Sequence, residues 1–278
     1  MTKILILGGK GMAGHVMYEY LRRQQDYDVR FTSRDKTDKS SIYLDVTDTP
    51  ALENLLASEN PDVVINCTGI LNTAAEQDPL LAFRVNSLLP HQLAAFMERQ
   101  QGHLIQISTD CVFSGDKGHY TEFDFRDGTS VYAQSKQLGE ITTAPHLTIR
   151  TSIIGPELKD DGIGLFQWFM NQSGEIKGFE RVFWNGVTTL ELAKATHFFI
   201  QQKTSGLYHL CPSETISKLD LLLLFKSVYE KDDVQIIPDA GQILDRTIVN
   251  TRISPSYTVP SFREMLEEQK KFYPLLSS

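Results

Sequence analysis

Tyr132 and Lys136 are the residues of this sequence whose types and spacing most directly suggest chemistry. They lie four residues apart in a segment with helical spacing (VYAQSKQLGE), so they are expected on one face of a helix. A free tyrosine titrates near ~10, and a nearby cation favours the phenolate and makes the phenol proton easier to release. Thr109 ends a short apolar run (HLIQIST) and could hold the same substrate oxygen. The three side chains predict proton transfer at a carbonyl or alcohol oxygen, although Tyr132 could also be a surface aromatic and Lys136 a solvated charge.

A glycine-rich turn follows the first predicted strand. The strand is a continuous apolar run at residues 3–7 (KILIL), typical of a strand buried on both faces of a parallel sheet. Gly8-x-x-Gly11-x-x-Gly14 comes next, and apolar residues then recur at helical spacing. Strand, glycine turn and helix together predict a dinucleotide site, with the pyrophosphate on the N-terminus of the helix. The alternative is a glycine-rich turn without a ligand.

The end of the second predicted strand, at residues 28–32, indicates which dinucleotide is bound. In such a sheet an acidic residue at this point accepts a hydrogen bond from the ribose 2′-hydroxyl, whereas an arginine suits a 2′-phosphate. This sequence has Ser33 and Arg34, which favours NADPH, with NADH still possible. Arg34 could equally be a solvated charge at a strand end.

Small or polar residues also follow the later predicted strands. Asp45 could accept from the adenine amino group or cap a turn, and Thr68 and Gly69 leave room for a cofactor. A helix is predicted at residues 79–100, before the strand that ends at Thr109. Because ligands of parallel α/β sheets bind beyond the carboxyl ends of the strands, these residues are expected to converge on one site.

The alternation of strands and helices predicts the fold class and the domains. We expect an α/β fold with a Rossmann-type, doubly wound parallel sheet, helices on both faces, and a smaller interleaved α/β substrate lobe. The Rossmann domain is predicted at residues 1–155, with 186–212 packing back on it. The substrate-binding lobe is predicted at residues 156–185 and 213–278.

Composition and charge exclude several classes of protein. No apolar run approaches the ~18–20 residues that a bilayer span needs, and the N-terminus lacks the pattern of a secretory signal, so a cytoplasmic enzyme without membrane contact is expected. The net charge of -8 argues against general nucleic-acid binding. The three cysteines are far apart and the seven histidines show no metal spacing, so neither a disulfide framework nor a metal site is predicted.

These motifs together resemble the extended short-chain dehydrogenase/reductase superfamily, over nearly the whole chain and most strongly at residues 1–155. The three-glycine turn, the hydroxyl of Thr109 and the Tyr132-x-x-x-Lys136 pair carry the resemblance. Within the superfamily, the segments STDCVFSG, YAQSK and RTS look most like dTDP-4-dehydrorhamnose reductases. The segment WNGVTTLELAK and the Asp245-Arg246 pair look closer to relatives that reduce UDP-linked 4-keto-6-deoxy amino sugars.

The resemblance implies a reductase that uses NADPH on the C4 keto group of a nucleotide-linked 4-keto-6-deoxyhexose, in surface polysaccharide or O-antigen sugar biosynthesis. Tyr132 would give a proton to the C4 oxygen, Thr109 would hydrogen-bond the same oxygen, and Lys136 would bind the nicotinamide ribose. The implied cofactor-binding residues are Gly8, Lys10, Gly11, Met12, Gly14, Ser33, Arg34, Asp45, Val46, Cys67, Thr68, Gly69, Tyr132 and Lys136. The implied substrate-binding residues are Thr109, Asp110, Cys111, Ile153, Trp184 and Arg246. A homodimer is a possible assembly on the same ground.

Two positions of the implied substrate site depart from the family pattern. The rhamnose-forming enzymes usually have Tyr where this chain has Cys111, and Trp where it has Ile153. The sugar could therefore differ from dTDP-4-dehydrorhamnose and be, for instance, a UDP-2-acetamido-2,6-dideoxy-hexos-4-ulose. The related dehydratases carry an acidic residue at the position of Cys111, so a 4,6-dehydratase is not expected.

Several assignments stay open at this point. Lys177, Arg246 and Arg252 could neutralise the substrate diphosphate or be solvated charges. Trp184 and Phe166 could stack on the base or lie in the core. The alternative functions are a nucleotide-sugar epimerase with tightly bound NAD and a dinucleotide-binding regulatory subunit, like that of methionine adenosyltransferase.

Overall fold

The chain folds into strands that alternate with helices. The computed structural model describes residues 1–158, 162 and 164–276. Residues 159–161, 163, 277 and 278, which belong to the predicted substrate lobe, lie outside the described residues. Within the described residues the strands are β1 (Thr2–Leu7), β2 (Tyr27–Ser33), β3 (Ile42–Tyr43), β4 (Val63–Asn66), β5 (His103–Thr109), β6 (Leu147–Thr151), β7 (Ile153–Ile154), β8 (Gly174–Trp184), β9 (Val187–Thr188), β10 (Gly206–His209), β11 (Ile216–Ser217) and β12 (Val234–Asp245). The α-helices are α1 (Met12–Leu21), α2 (Thr49–Glu59), α3 (Asn72–Gln77), α4 (Pro79–Phe83), α5 (Leu89–Arg99), α6 (Val131–Leu138), α7 (Leu165–Met170), α8 (Thr189–Gln201), α9 (Lys218–Tyr229) and α10 (Phe262–Phe272). A π-helical turn spans Arg84–Leu88, and 3₁₀ turns span Asp110–Val112 and Tyr273–Leu276.

Seven of the described strands form the central sheet, in the order β3-β2-β1-β4-β5-β6-β10, and every neighbouring pair is parallel. The strand order reverses between β1 and β4, because the chain builds one half of the sheet outward from β1 and the other half outward from β4. The predicted Rossmann-type parallel sheet is thus confirmed. In such sheets the ligand binds beyond the carboxyl ends of the strands at the reversal, which places it at the ends of β1 and β4.

The side chains of β1 enter two hydrophobic cores, one on each face of the sheet. Ile4 and Ile6 belong to the core under α1 and α8, whereas Leu5 and Leu7 belong to the core under α2 and α5. Successive side chains of a strand point to opposite faces, so a strand that is covered on both faces needs a continuous apolar run. This requirement explains the KILIL sequence.

The helix predicted at residues 79–100 is confirmed over residues 79–99, where α4, the π-helical turn and α5 follow one another without a break. Pro90 lacks the N–H group that would bond the carbonyl of Asn86, four residues earlier. That carbonyl packs against Gly139, where a Cβ atom would lie 1.8 Å from the carbonyl oxygen. A proline and a tertiary contact thus account for the π-helical turn inside the predicted helix.

The second part of the described chain adds a small mixed sheet and returns once to the central sheet. β8 pairs in parallel with β12 and antiparallel with β11, and α9 and α10 pack beside it. Between β8 and β11 the chain crosses back, so that α8 packs on α1 and β10 adds to the edge of the central sheet beside β6. Across the described residues, every helix is too short or too polar to span a bilayer.

A buried carboxylate, that of Glu140, ties β5 and β6 to the end of α6. Arg150 of β6 donates to both of its oxygens at 2.6 Å, and the Ser108 hydroxyl and Arg126 donate to it at 2.7 and 2.8 Å. Burial alone would raise the pKa of Glu140, but the bonds from Arg150, Ser108 and Arg126 outweigh burial and hold the pKa below its usual value. The carboxylate therefore stays charged inside the protein.

The same arginine extends the buried network to β10. Arg150 donates from Nη1 to Nε2 of His209 at 3.1 Å. An arginine can only donate, so Nε2 is the acceptor and Nδ1 carries the proton that is donated to the carbonyl of Val249 at 3.0 Å. Burial lowers the pKa of His209 to about 4, which agrees with a neutral ring.

Removal of the Glu140 carboxylate is expected to destabilise the fold strongly. The Arg150 side chain is only 2% exposed, so Glu140→Ala leaves its charge buried without a counter-ion. The expected loss is about 3–5 kcal/mol in the free energy of unfolding. Denaturant unfolding followed by circular dichroism measures this loss.

The matched control is Glu59→Ala, which removes a surface ion pair. Glu59 pairs with Arg30, whose side chain is 58% exposed, so the expected loss is only about 0–1 kcal/mol. Equal losses in the two variants would contradict the structural role of Glu140.

Candidate active site

The turn between β1 and α1 needs glycine at two positions. Gly8 adopts a φ of +77°, a left-handed conformation that residues with a Cβ atom rarely take. A Cβ on Gly14 would lie 2.2 Å from the carbonyl oxygen of Gly8, so α1 can approach the turn only with glycine at this position. The Gly11 N–H donates to the same oxygen at 3.0 Å. The result is a tight loop that leads directly into the first turn of α1.

The N-terminus of α1 is open on the outer side of this loop. Gly11 is the N-cap residue and offers no side-chain hydrogen bond to the helix. It is exposed, and among the described residues a Cβ there would meet only the Gly8 oxygen within 4 Å, at 3.3 Å. The first N–H groups of a helix lack partners inside the helix and attract anions. The loop, with Lys10 and Met12 on either side of Gly11, therefore fits the pyrophosphate of a dinucleotide.

Two cations with different surroundings lie near the end of β2. The ammonium of Lys10 pairs with Asp35 at 3.1 Å and with Asp38 at 2.9 Å. Arg34 is exposed, and within the part of the chain that the structure describes it has neither a hydrogen bond nor an ion pair. Ser33 is buried, and its Oγ accepts from the Asp35 N–H at 3.1 Å. Arg34 is therefore an exposed cation at this strand end, near enough to the Asp45 carboxylate for its charge to lower the pKa of that group.

Asp45 and Val46 lie directly after β3. The Asp45 Oδ1 atom accepts from the N–H and the hydroxyl of Thr47, at 2.9 and 2.7 Å, and these bonds lower the pKa of Asp45. Val46 is partly buried against the core under α2. The carboxylate thus has the geometry of a turn cap, which engages one of its two oxygens.

Asn66 organises the end of β4 beside the glycine turn. Its side-chain oxygen accepts from the N–H and the hydroxyl of Thr68, at 3.1 and 2.6 Å. The Thr68 methyl group lies 3.0 Å from the position that a Cβ on Gly8 would take. Cys67 is partly buried and Gly69 is exposed. Burial raises the pKa of the Cys67 thiol to about 12, so this thiol is neutral.

The ends of β5 and α6 bring a threonine hydroxyl and a tyrosine phenol together. The Thr109 hydroxyl donates to Oδ1 of Asp110 and accepts from the N–H of Cys111, both at 3.1 Å. Tyr132 lies in the first turn of α6, whose N-terminus Ser130 caps. The Tyr132 phenol lies close enough to the Thr109 hydroxyl for that hydroxyl to act on its pKa. A carbonyl oxygen placed at this point could meet both groups.

The Tyr132 phenol keeps its proton in this environment. Burial raises its pKa, and the nearby Cys111 and Asp110 add to the rise, while the neighbouring Thr109 hydroxyl lowers it. The direction is opposite to the effect expected from the ammonium of Lys136, because burial of a phenolate outweighs the other influences. The phenol is thereby held in its protonated form.

Lys136 is fixed to the strand rather than solvated. It is 5% exposed, and its ammonium donates to the carbonyl of Ile107 on β5 at 2.6 Å. Burial lowers the pKa of Lys136 to about 8, and the Glu140 carboxylate opposes this shift. The ammonium is therefore held at one place beneath the end of β5.

The π-helical turn before α5 sets the orientation of α6. Asn86 donates to the hydroxyl of Ser135 at 3.0 Å, and the Ser87 hydroxyl donates to the carbonyl of Ser135 at 2.7 Å. Ser135 directly precedes Lys136 and lies three residues after Tyr132. These bonds fix the rotation of α6 about its axis, so that the phenol and the ammonium face β5. The sequence analysis missed them, because they depend on a turn that the helical pattern does not reveal.

Asp110, Cys111 and Arg246 lie together on one side of Thr109. Burial raises the pKa of Asp110 and raises that of Cys111 to about 12. Arg246 donates from Nε to the carbonyls of Phe113 and Ser114, at 3.1 and 3.2 Å, and its Nη1 lies 3.8 Å from the Cys111 Sγ. The guanidinium thus borders the site while it holds the backbone of the β5–α6 loop.

Trp184 and Ile153 lie where β8 and β7 meet. Trp184 is 4% exposed, its indole N–H donates to the Ser152 Oγ at 2.8 Å, and its ring centroid lies 5.7 Å from that of Phe262. Ile153 is partly buried against the same core, in which Phe166 is also buried. Both aromatic rings considered for base stacking are therefore packed inside the protein.

The other two cations considered for the diphosphate are engaged elsewhere. Lys177 is an exposed residue of β8 whose ammonium pairs with Asp239 of β12 at 3.0 Å. Arg252 donates to the carbonyls of Ser205 and Leu207, at 2.7 and 3.1 Å, next to the edge strand β10. The structure does not bring either side chain to Thr109.

Lys218 lies near the site and is absent from the residues predicted from the sequence. It is the first residue of α9, directly after the cap residue Ser217. Its ammonium lies 5.1 Å from the centroid of the Trp184 ring. Burial lowers the pKa of Lys218 to about 8, and nearby Asp110 and Cys111 oppose this shift. Its sequence context marks only a helix start, so no local signal could have revealed its place.

Comparison with known proteins identifies the family. A family model described as "RmlD substrate binding domain" matches residues 1–241. The probable low-salt glycan biosynthesis reductase Agl14 of Haloferax volcanii is 33% identical over 139 residues, 49% of this chain and 46% of that protein. A dTDP-4-dehydrorhamnose reductase of Mycobacterium tuberculosis is 33% identical over 144 residues, 50% of this chain and 44% of that protein. The chain therefore spans less than half the length of these curated relatives in the matched alignments.

A solved structure shows the same fold over the full length. The dTDP-4-dehydrorhamnose reductase from Bacillus anthracis, in complex with NADP, superimposes with a TM-score of 0.85 over 98% of this chain and 99% of that chain, at 21% identity. The family match extends well beyond half of the chain and includes the glycine turn, Thr109, Tyr132 and Lys136. The chain belongs to the RmlD substrate binding domain family, among the dTDP-4-dehydrorhamnose reductase-like members of the extended short-chain dehydrogenase/reductases.

Proposed function

We propose that this chain is an NADPH-dependent reductase of the C4 keto group of a nucleotide-linked 4-keto-6-deoxyhexose. The observation that carries the proposal is the placement of Thr109, Tyr132 and Lys136 around the carboxyl end of β5. The proposed setting is the synthesis of surface polysaccharide or O-antigen sugars. The names of the relatives support this setting, since they include dTDP-4-dehydrorhamnose reductases and a glycan biosynthesis reductase.

Each of the three side chains has a defined part in the reduction. When bound, NADPH supplies the hydride that C4 receives. Tyr132 donates its proton to the C4 oxygen, so that hydride and proton together convert the ketone into a secondary alcohol. Thr109 donates a hydrogen bond to the same oxygen and stabilises the negative charge that develops on it. Lys136 binds the nicotinamide ribose and stabilises the phenolate that remains after proton transfer.

The residues that would hold NADPH lie along the carboxyl ends of β1, β2 and β4. The N-terminus of α1 at Gly11 would bind the pyrophosphate, and Arg34 would bind the 2′-phosphate. Thr68 and Gly69 would border the cofactor beside the glycine turn. The solved Bacillus anthracis reductase, which is in complex with NADP, supports this choice of cofactor.

Arg34 supports reduction with NADPH over epimerisation. Its guanidinium suits the 2′-phosphate that NADPH has and NAD lacks. An epimerase with tightly bound NAD would make no use of this contact. We therefore favour a reductase that consumes NADPH.

The sugar is proposed to differ from dTDP-4-dehydrorhamnose. Cys111 borders Thr109 and Arg246, and Ile153 lies beside Trp184. Both are smaller than the Tyr and Trp that rhamnose-forming relatives usually carry, so more space is left for a substituent on the sugar. A UDP-2-acetamido-2,6-dideoxy-hexos-4-ulose is the candidate that fits this difference.

Replacement of Tyr132 by Phe is expected to remove turnover and to spare cofactor binding. The variant lacks the proton donor but keeps the ring that packs on the site, so kcat should fall about 10²–10⁴-fold. NADPH oxidation is followed at the nicotinamide absorbance with dTDP- and UDP-linked 4-keto sugars, and NADPH binding is measured by the quenching of protein fluorescence.

The control is Tyr273→Phe, which makes the same change at a partly exposed residue of the C-terminal 3₁₀ turn. Its kcat should equal that of the unchanged protein. A Tyr132→Phe enzyme with full activity would show that another group is the acid. Retention of NAD through purification, without net NADPH consumption, would favour the epimerase instead.

Replacement of Arg34 by Ala is expected to change the choice of cofactor. The loss of the guanidinium removes the charged partner of the 2′-phosphate, so the KM for NADPH should rise about tenfold or more while the KM for NADH changes little. Steady-state kinetics with both cofactors measure the ratio. The control is Lys39→Ala, which removes another exposed positive charge from the same loop. It should leave both KM values unchanged. Equal rises for NADPH and NADH would contradict a 2′-phosphate contact.

A further inference from the structure

We propose that Lys218 is a specificity residue of this enzyme, whose ammonium donates a hydrogen bond to an oxygen-bearing substituent of the sugar ring next to C4. The proposal rests on the proposed function, since it names a substrate contact in the same site. It assigns the recognition of the sugar to α9 of the second lobe, in addition to the residues that follow β5. The substrate class is a nucleotide sugar with a hydroxyl or acylamino group at C3.

The fold places Lys218 at the site through a short strand pairing. β11 runs antiparallel to the end of β8, with Ile216 opposite Trp184 and Ser217 opposite Phe183. The Ser217 hydroxyl accepts from the N–H of the third residue of α9 at 3.0 Å and starts the helix immediately after the strand. Lys218 therefore leaves the sheet beside Trp184, and its ammonium lies over the indole at 5.1 Å.

The Lys218 ammonium also faces the residues that surround the reacting oxygen. Asp110 and Cys111 are the neighbours whose charge affects the pKa of Lys218. The same two residues affect the pKa of the Tyr132 phenol. Both are bonded to the Thr109 hydroxyl, at 3.1 Å. Lys218 and Tyr132 are thus both close enough to Asp110 and Cys111 to interact with them electrostatically, which brings the ammonium into the surroundings of the C4 oxygen.

Lys218 differs from the other cations around the site because its ammonium is free. Lys136 donates to the carbonyl of Ile107, and Arg246 donates to the carbonyls of Phe113 and Ser114. Among the residues that the structure describes, the Lys218 ammonium has no hydrogen-bond acceptor and no carboxylate within 4.0 Å, and it lies over the face of Trp184. A half-buried ammonium without an acceptor is costly, and an oxygen atom of a ligand would remove that cost.

The position of this ammonium favours the sugar ring over the diphosphate. In a nucleotide sugar the diphosphate is attached at C1, across the ring from C4. A cation that lies beside the groups around the C4 oxygen therefore meets the neighbouring ring positions. In a 4-keto-6-deoxyhexose C5 carries a methyl group, so the oxygen acceptor next to C4 is the substituent at C3.

The test compares nucleotide sugars with the nucleoside diphosphates alone. Isothermal titration calorimetry measures the binding of UDP, dTDP, a UDP-linked N-acetyl-6-deoxyhexosamine and dTDP-rhamnose to the full chain loaded with NADP. In Lys218→Met we expect about tenfold to a hundredfold weaker binding of the nucleotide sugars and unchanged binding of UDP and dTDP. Lys271→Met, the same change at an exposed residue of α10, should bind every ligand like the unchanged protein.

Two outcomes would overturn the role of Lys218. Unchanged binding of nucleotide sugars by Lys218→Met would show that the ammonium contacts no ligand. An equal loss for UDP or dTDP alone would place the ammonium on the diphosphate instead. Lys218→Gln, which keeps a polar side chain beside Trp184, repeats the comparison if the Met variant unfolds at a lower temperature than the unchanged protein.

The same titrations separate this inference from the proposed reaction. An unchanged protein that binds nucleotide sugars but oxidises no NADPH with any 4-keto sugar contradicts the reaction, while a weaker Lys218→Met complex would still support the sugar contact. An unchanged protein that binds no nucleotide sugar contradicts both. An active protein whose Lys218→Met variant has the same affinities contradicts the contact alone.

Discussion

The buried carboxylate of Glu140 is the interaction on which the chemistry of this site depends. It accepts hydrogen bonds from Arg150 on β6 and from Ser108, the residue directly before Thr109. Glu140 itself follows Lys136 by four residues, just beyond the end of α6. One charged group therefore connects the strand end that carries the threonine hydroxyl with the helix that carries the phenol and the ammonium. A buried charge tolerates little displacement of its partners, so the threonine hydroxyl, the phenol and the ammonium keep a fixed relation to one another.

A second constraint holds α6 from its other side. The π-helical turn at Arg84–Leu88 provides Asn86 and Ser87, and both bond to Ser135, which lies between Tyr132 and Lys136 on α6. Pro90 cannot donate to the Asn86 carbonyl, and that carbonyl lies against Gly139. The π-helical turn thus adapts the surface of one helix to the end of another. A regular α-helix through these residues would present different groups to α6.

The local part of this architecture could be predicted from the sequence, because it depends on patterns a few residues long. The apolar run before Gly8 predicted β1 and its two covered faces, and the spacing of Tyr132 and Lys136 predicted a helix that carries both. The remaining features depend on contacts between distant residues. No local pattern pairs Glu140 with Arg150. The raised pKa of Tyr132 likewise follows from burial, which is a property of the folded chain that the spacing of Tyr132 and Lys136 does not reveal.

The second part of the chain shows that one basic residue can be held by the backbone while another is left without a hydrogen-bond acceptor among the described residues. Arg246 was a candidate for ligand binding from its sequence context, yet its guanidinium is engaged with the carbonyls of Phe113 and Ser114. Lys218 had no such context, yet its ammonium is the one left over the indole of Trp184. The difference comes from β11, which directs the start of α9 toward the loop after Thr109. Since β8, β11 and α9 lie outside the network around Glu140, substitutions in them can change the surroundings of Lys218 while Thr109, Tyr132 and Lys136 stay in place.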